Sequence, residues 1–117
     1  MTSPTVILAD IVPTYSRVWK PTATNKQPPA AYCVYTSMTT EAYHADDHTT
    51  AYRTYIYLNL WTKGNPSIYL PRIRNAMYDA GYAMVEERAD SYEDDNDYYL
   101  TAWTWVIEAD AESDGDI

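Results

Sequence analysis

Two stretches of the chain alternate strictly, Ala51–Trp61 and Tyr98–Ile107. Taken every second residue, the first divides into Tyr52, Thr54, Ile56, Leu58, Leu60 and Ala51, Arg53, Tyr55, Tyr57, Asn59, Trp61. The second divides into Tyr99, Thr101, Trp103, Trp105, Ile107 and Tyr98, Leu100, Ala102, Thr104, Val106. Alternation filled with β-branched and aromatic residues predicts strands. A sheet with one wet face shows one plainly polar set, and neither set here is polar. The second face still carries Tyr55, Tyr57 and Trp61, and an aromatic face that the chain's own core does not use meets another chain. The pattern therefore points to a small assembly subunit rather than an enzyme. A monomer that covers this face with its own proline-rich loop is the alternative.

The remaining elements follow from spacing and breakers. Ile7, Ile11, Tyr15 and Val18 fall on one helical stripe, and Ser3-Pro4 fits an N-cap followed by proline at the first helical position. Pro13 interrupts that stripe, so a helix is expected from about Pro4 to Val12, with a resumption toward Trp19. Lys20–Ala30 contains Pro21, Pro28 and Pro29 and reads as a linker. Ala31–Met38 is a strand, and Thr39–Thr50 a long polar hairpin loop. The strand at Ala51–Thr62 would span roughly 40 Å at about 3.3 Å per residue, so it bends or protrudes as an arm. Pro66–Ala80 is a helix capped by Asn65, with Pro71 bending it or delaying its start and Gly81 at its left-handed end. Tyr82–Arg88 is a strand, Ala89–Asp97 an acidic loop and Tyr98–Ala109 the last strand. The expected architecture is α+β in the order α-β-β-α-β-β: a four-stranded antiparallel sheet, two helices on one face and a long protruding hairpin. It forms one domain over 4–109, followed by an acidic disordered tail at 110–117.

Composition sharpens this reading. The 117 residues include thirteen Tyr and four Trp but no Phe, so even enclosed aromatics must find partners for their polar atoms. The net charge of −9 opposes tight binding to phosphate backbones, although an acidic channel lets DNA slide through. Cys33 is the only cysteine, which excludes an internal disulfide. It sits in an apolar strand without basic neighbours and reads as a small buried hydrophobe. No stretch approaches the ~20 apolar residues of a membrane span, and Met-Thr-Ser-Pro does not open a signal peptide. A soluble protein of a reducing cytosol is expected.

Three clusters invite chemical readings. His44, Asp46, Asp47 and His48 are residue types that hold Zn²⁺, and a metal-dependent hydrolase using His44, Asp46 and His48 is one hypothesis. The segment reads as a loop with no distant further ligand, so a solvated hairpin tip is the plainer account. Asp110, Glu112, Asp114 and Gly115 imitate the start of a calcium loop, but twelve residues and a closing glutamate are needed. Glu93, Asp94 and Asp95 offer paired carboxylates, with no base or nucleophile fixed beside them by spacing. No phosphate loop, dinucleotide fingerprint or nucleophile elbow is present. No catalytic residue, metal ligand or cofactor is assigned.

One resemblance draws these pieces together. Pro29-Ala-Ala-Tyr-Cys-Val-Tyr35, the acidic stretch Tyr43–Asp47 and Arg53-Thr-Tyr-Ile-Tyr-Leu-Asn-Leu-Trp-Thr-Lys63 come first. Asp79-Ala-Gly-Tyr82, Tyr92-Glu-Asp-Asp95 and a closing aromatic strand follow. Over roughly Thr5 to Ala109 the chain resembles the small tail completion, or tail terminator, proteins of long-tailed bacteriophages, with Pro13 and Pro71 departing from clean helices. The resemblance implies a virion protein at the head–tail junction, assembled in the host cytoplasm. There a six-membered ring of copies would cap the tail tube and dock it to the head connector, with DNA passing through unbound. Tyr55, Tyr57, Trp61 and Trp103 are then expected in or near subunit contacts. Asp46, Asp47, Glu93, Asp94 and Asp95 are expected to face the lumen or the docking partners. A phage-encoded acidic module that inhibits a host protein is the other binding hypothesis.

Overall fold

The computed structural model describes residues 3–17, 29–45, 48–93 and 98–110, with the backbone alone at 42–45, 48–50, 89–93 and 110. Its elements are α1 (Pro4–Ile7), β1 (Thr14–Ser16), β2 (Ala31–Ala45), β3 (His48–Thr62), a 3₁₀ turn (Pro66–Ile68), α2 (Leu70–Asp79), β4 (Ala83–Glu93) and β5 (Tyr98–Asp110). The fold is α+β: a five-stranded mixed sheet in the order β1-β2-β3-β5-β4, with one main helical segment over 66–79. Among the described residues no helix is long and apolar enough to cross a membrane.

The expectation of four antiparallel strands and two helices is corrected at the N-terminus. Only one turn of α-helix forms, and the chain coils through tight turns to Val12, whose N–H reaches Leu8 O at 3.0 Å. Pro13 has no N–H to continue a helix, and a residue before proline avoids helical angles. Pro13 instead offers its carbonyl to Cys33 N at 2.8 Å and so opens β1, which runs parallel to β2 with Tyr15 opposite Val34. Arg17 closes this short strand at φ 73°, donating its N–H to Tyr35 O at 2.7 Å.

The two expected long loops are also corrected. Ladder pairing between β2 and β3 continues past Met38 to Ala45↔His48, with irregularities near Glu41 and Tyr43. β4 likewise continues through Glu93 opposite Tyr98. Thr, Tyr and Ser in these polar stretches suit a pleated ribbon even without an apolar set. The long hairpin contributes to a molecule extending 53 × 31 × 24 Å.

The second helix bears out its breakers. Asn65 Oδ1 accepts Ser67 N at 3.0 Å, and Pro71 falls at the start of α2 rather than inside it. The end of α2 is a Schellman motif: Tyr82 N–H reaches Met77 O at 3.1 Å and Gly81 N–H reaches Tyr78 O at 3.0 Å. Gly81 sits at φ 97°, where a side chain is strained. Ile73 and Met77 of α2, with Leu8 and Val12, pack on Cys33, Tyr35, Ile56, Leu58, Leu60, Trp103 and Trp105. Each fully buried side chain of this kind contributes about 1.5–3 kcal/mol. This cluster lies on the helix-covered side of the sheet.

Candidate functional site

Register decides which side chains share the other face. Leu58 stands opposite both Tyr35 and Trp103, and Ile56 opposite Trp105, so these belong to the helix-covered face. Their sequence neighbours must point the opposite way. The opposite face therefore carries Tyr15 of β1; Tyr32, Val34, Thr36 and Met38 of β2; Tyr55, Tyr57, Asn59 and Trp61 of β3; and Leu100, Ala102, Thr104 and Val106 of β5. Among the described residues no helix covers this face.

Aromatic rings concentrate at its lower end, beside Thr62. Tyr32 stacks on Trp61 at 6.5 Å between centroids and 18° between planes, and meets Tyr15 and Tyr98 edge-on at 6.4 and 5.8 Å. Lys63 Nζ lies 5.5 Å from the centre of the Tyr98 ring, and Tyr98 Oη donates to Pro29 O at 2.8 Å. Such pairs contribute about 0.5–1.5 kcal/mol each beyond their area. Higher up the sheet the cover thins: Tyr57 is 40% exposed and Met38 48% exposed, with Tyr55 half-buried between strands. Arg53 and Glu108, directly opposite across β3 and β5, close this region with an ion pair at 2.6 Å. The Glu108 carboxylate raises the Arg53 pKa further, so its positive charge is fixed.

The expected contact residues thus separate. Tyr55, Tyr57 and Trp61 share the face that no described helix covers, whereas Trp103, only 2% exposed, lies on the helix side within the core. Trp103 offers no surface to a neighbour: its indole N–H donates to Glu87 Oε1 at 2.5 Å. The reason is register, since Trp103 is paired with the core residue Leu58. The sequence reading missed Tyr15, Tyr32, Val34 and Met38 on this face. Tyr15 was hidden by its apparent helical stripe, and Met38 by lying at the edge of the expected loop.

Asp46, Asp47, Asp94 and Asp95 lie outside the described residues, and Glu93, His44 and His48 are described by backbone alone. Ala45 and His48 are at one end of the sheet, while Glu93 and Tyr98 lie at the other, near Thr62. Among the described residues no group of three His, Cys, Asp or Glu side chains gathers to hold a metal ion. Cys33 is fully enclosed, and burial pushes its thiol up to about 12, so it stays protonated and unreactive at neutral pH. No known family's model matches the chain, and no curated protein matches it significantly.

Proposed function

We propose that this chain is a non-enzymatic structural subunit that assembles with copies of itself. On the resemblance set out above, it acts as a tail completion protein that caps a phage tail tube and joins it to the head connector. One observation carries the reading: Tyr55, Tyr57 and Trp61 share a broad sheet face with Met38 and Val106, and no described helix lies over it. Covering such a face removes apolar area from water at about 25 cal/mol per Å². Aromatic residues and Met are the types enriched in subunit contacts. A ring needs heterologous contacts, in which one surface meets a different one on the next copy. The strand ends Ala45 and His48 lie at one end of the sheet and Glu93 and Tyr98 at the other, which suits docking to two different partners. A net charge of −9 suits a lumen through which DNA slides without sticking.

The test is to image virus particles carrying a labelled copy of the chain. Label confined to the head–tail junction is expected. Particles that assemble fully with no copy of the chain would contradict the reading.

A further inference from the structure

Among the described residues, the backbone of the sheet leaves part of one edge open. Cys33 N donates to Pro13 O and Tyr35 O accepts from Arg17 N, so odd-numbered residues of β2 turn their peptide groups toward β1. Ala30 O accepts from Lys63 N at 2.9 Å, so the even-numbered ones face β3. β1 ends at Ser16, whose partner is Tyr35. Beyond it, Ser37 and Thr39 direct N–H and C=O groups outward, and among the described residues nothing pairs with them. This stretch, Thr36 to Thr40, lies before the first irregularity of β2 and carries no charge and no proline. Native edges are ordinarily blunted by charges, prolines or bulges, and an edge without them is a pairing site.

The other edge has the complementary geometry. The same alternation carried across β3 and β5 turns Arg88 and Glu86 of β4 toward Ala102 and Thr104, leaving Glu87 and Ala89 with outward peptide groups. Irregularities on either side, at Met84/Glu86 and Ala89/Ser91, limit this open run to a length like that of β2. β2, β3, β5 and β4 are antiparallel in succession, so β4 runs opposite to β2. Copies set side by side, all facing the same way, therefore bring β4 of one antiparallel to β2 of the next without turning either over. Their aromatic faces then lie on one common side and their helices on the other.

We propose that copies join head to tail by hydrogen bonding between the Ser37–Thr39 edge of β2 and the β4 edge of the neighbour around Glu87–Ala89. This inference rests on the assembly reading above and adds which edges meet. Because the two edges differ, the contact is heterologous, the type that builds a ring where the rotation between copies closes and a filament where it does not.

Proline substitution separates the edges. Ser37→Pro removes an outward N–H and no internal bond, a position where strands accept proline. Met38→Pro removes a bond to β3 and serves as the unfolding control. Ser37→Pro and Ala89→Pro are each expected to be folded and monomeric by circular dichroism and light scattering. Mixed, they are expected to form a one-to-one dimer, since each supplies the edge the other lacks. If Ala89→Pro alone dimerises and the mixture gains nothing, two β2 edges pair with each other and the proposal is overturned. A wild type that assembles regardless of Ser37→Pro overturns the edge contact while leaving the assembly reading intact. A wild type that stays monomeric even when concentrated overturns both. Amide exchange reads the same contact without any variant: Ser37 and Thr39 should exchange fast in dilute monomer and slowly in the assembly, with Thr36 and Met38 slow in both. Fast exchange of Ser37 and Thr39 in the assembly overturns the proposal whatever the proline variants do.

Discussion

Glu87 and Trp103 face each other across the β4–β5 ladder, and the indole N–H of Trp103 donates to Glu87 Oε1 at 2.5 Å. The same carboxylate receives Arg74 of α2 in a two-pronged bond, Nε to Oε1 at 2.7 Å and Nη2 to Oε2 at 2.9 Å. One side chain thus fastens the main helix to two strands. The Arg74 guanidinium first, and the Trp103 indole after it, hold the Glu87 carboxyl below its usual range against the opposing effect of burial.

Replacing Glu87 with Ala should cost about 1–2 kcal/mol, the lower part applying because Arg74 and Glu87 remain partly wetted. The sign with pH follows from a depressed folded-state pKa. The stabilisation is present above the unfolded glutamate value of about 4.3 and is lost as pH falls through the lower folded value. Urea melts of wild type and Glu87→Ala across that range should converge at acid pH. A constant gap would contradict the ionic part of the clamp.

Cys33 should resist thiol reagents in the native state and react only on unfolding. Its folded pKa of about 12 lies above the ordinary thiol value of 9.0, so its contribution is complete below about pH 9 and falls as pH rises toward 12. Thermal melts of wild type and Cys33→Ala should therefore draw together in alkali. Rapid native labelling at neutral pH would place the thiol outside the core.

Gly81→Ala should destabilise the fold by about 1 kcal/mol, because the left-handed backbone disfavours a Cβ. The added atom would also stand 3.4 Å from Ile107 Cδ1, a close but tolerable contact. A chemical denaturation midpoint equal to that of wild type would contradict the Schellman assignment.

The sequence displayed the two long strands, the Asn65 cap, the Pro71 boundary and the Gly81 stop, because each rests on local chemistry. It concealed β1, since three residues are too short for any period to register and Tyr15 fell by chance on a helical stripe. It also misjudged Thr39–Ala45, where polar side chains suggest a loop although the ladder bonds belong to the backbone. The face shared by Tyr55, Tyr57 and Trp61 was visible from alternation within β3. The enclosure of Trp103 was not, because alternation divides a strand into two sets without saying which set meets the helix. Only its pairing with Leu58 decides that.

The central claim is that the face bearing Tyr57 is covered by another chain in the assembled particle, beside copies joined at their edges. The most direct measurement compares the incorporation of wild type and Tyr57→Asp into virus particles, alongside their melting temperatures. Tyr57 is 40% exposed, so its replacement should alter folding stability by no more than about 1 kcal/mol. A charge placed in a covered aromatic face should block that contact. Wild type is expected in the particles, and a folded Tyr57→Asp of nearly unchanged melting temperature is expected to be excluded from them. Equal incorporation of both proteins would contradict this.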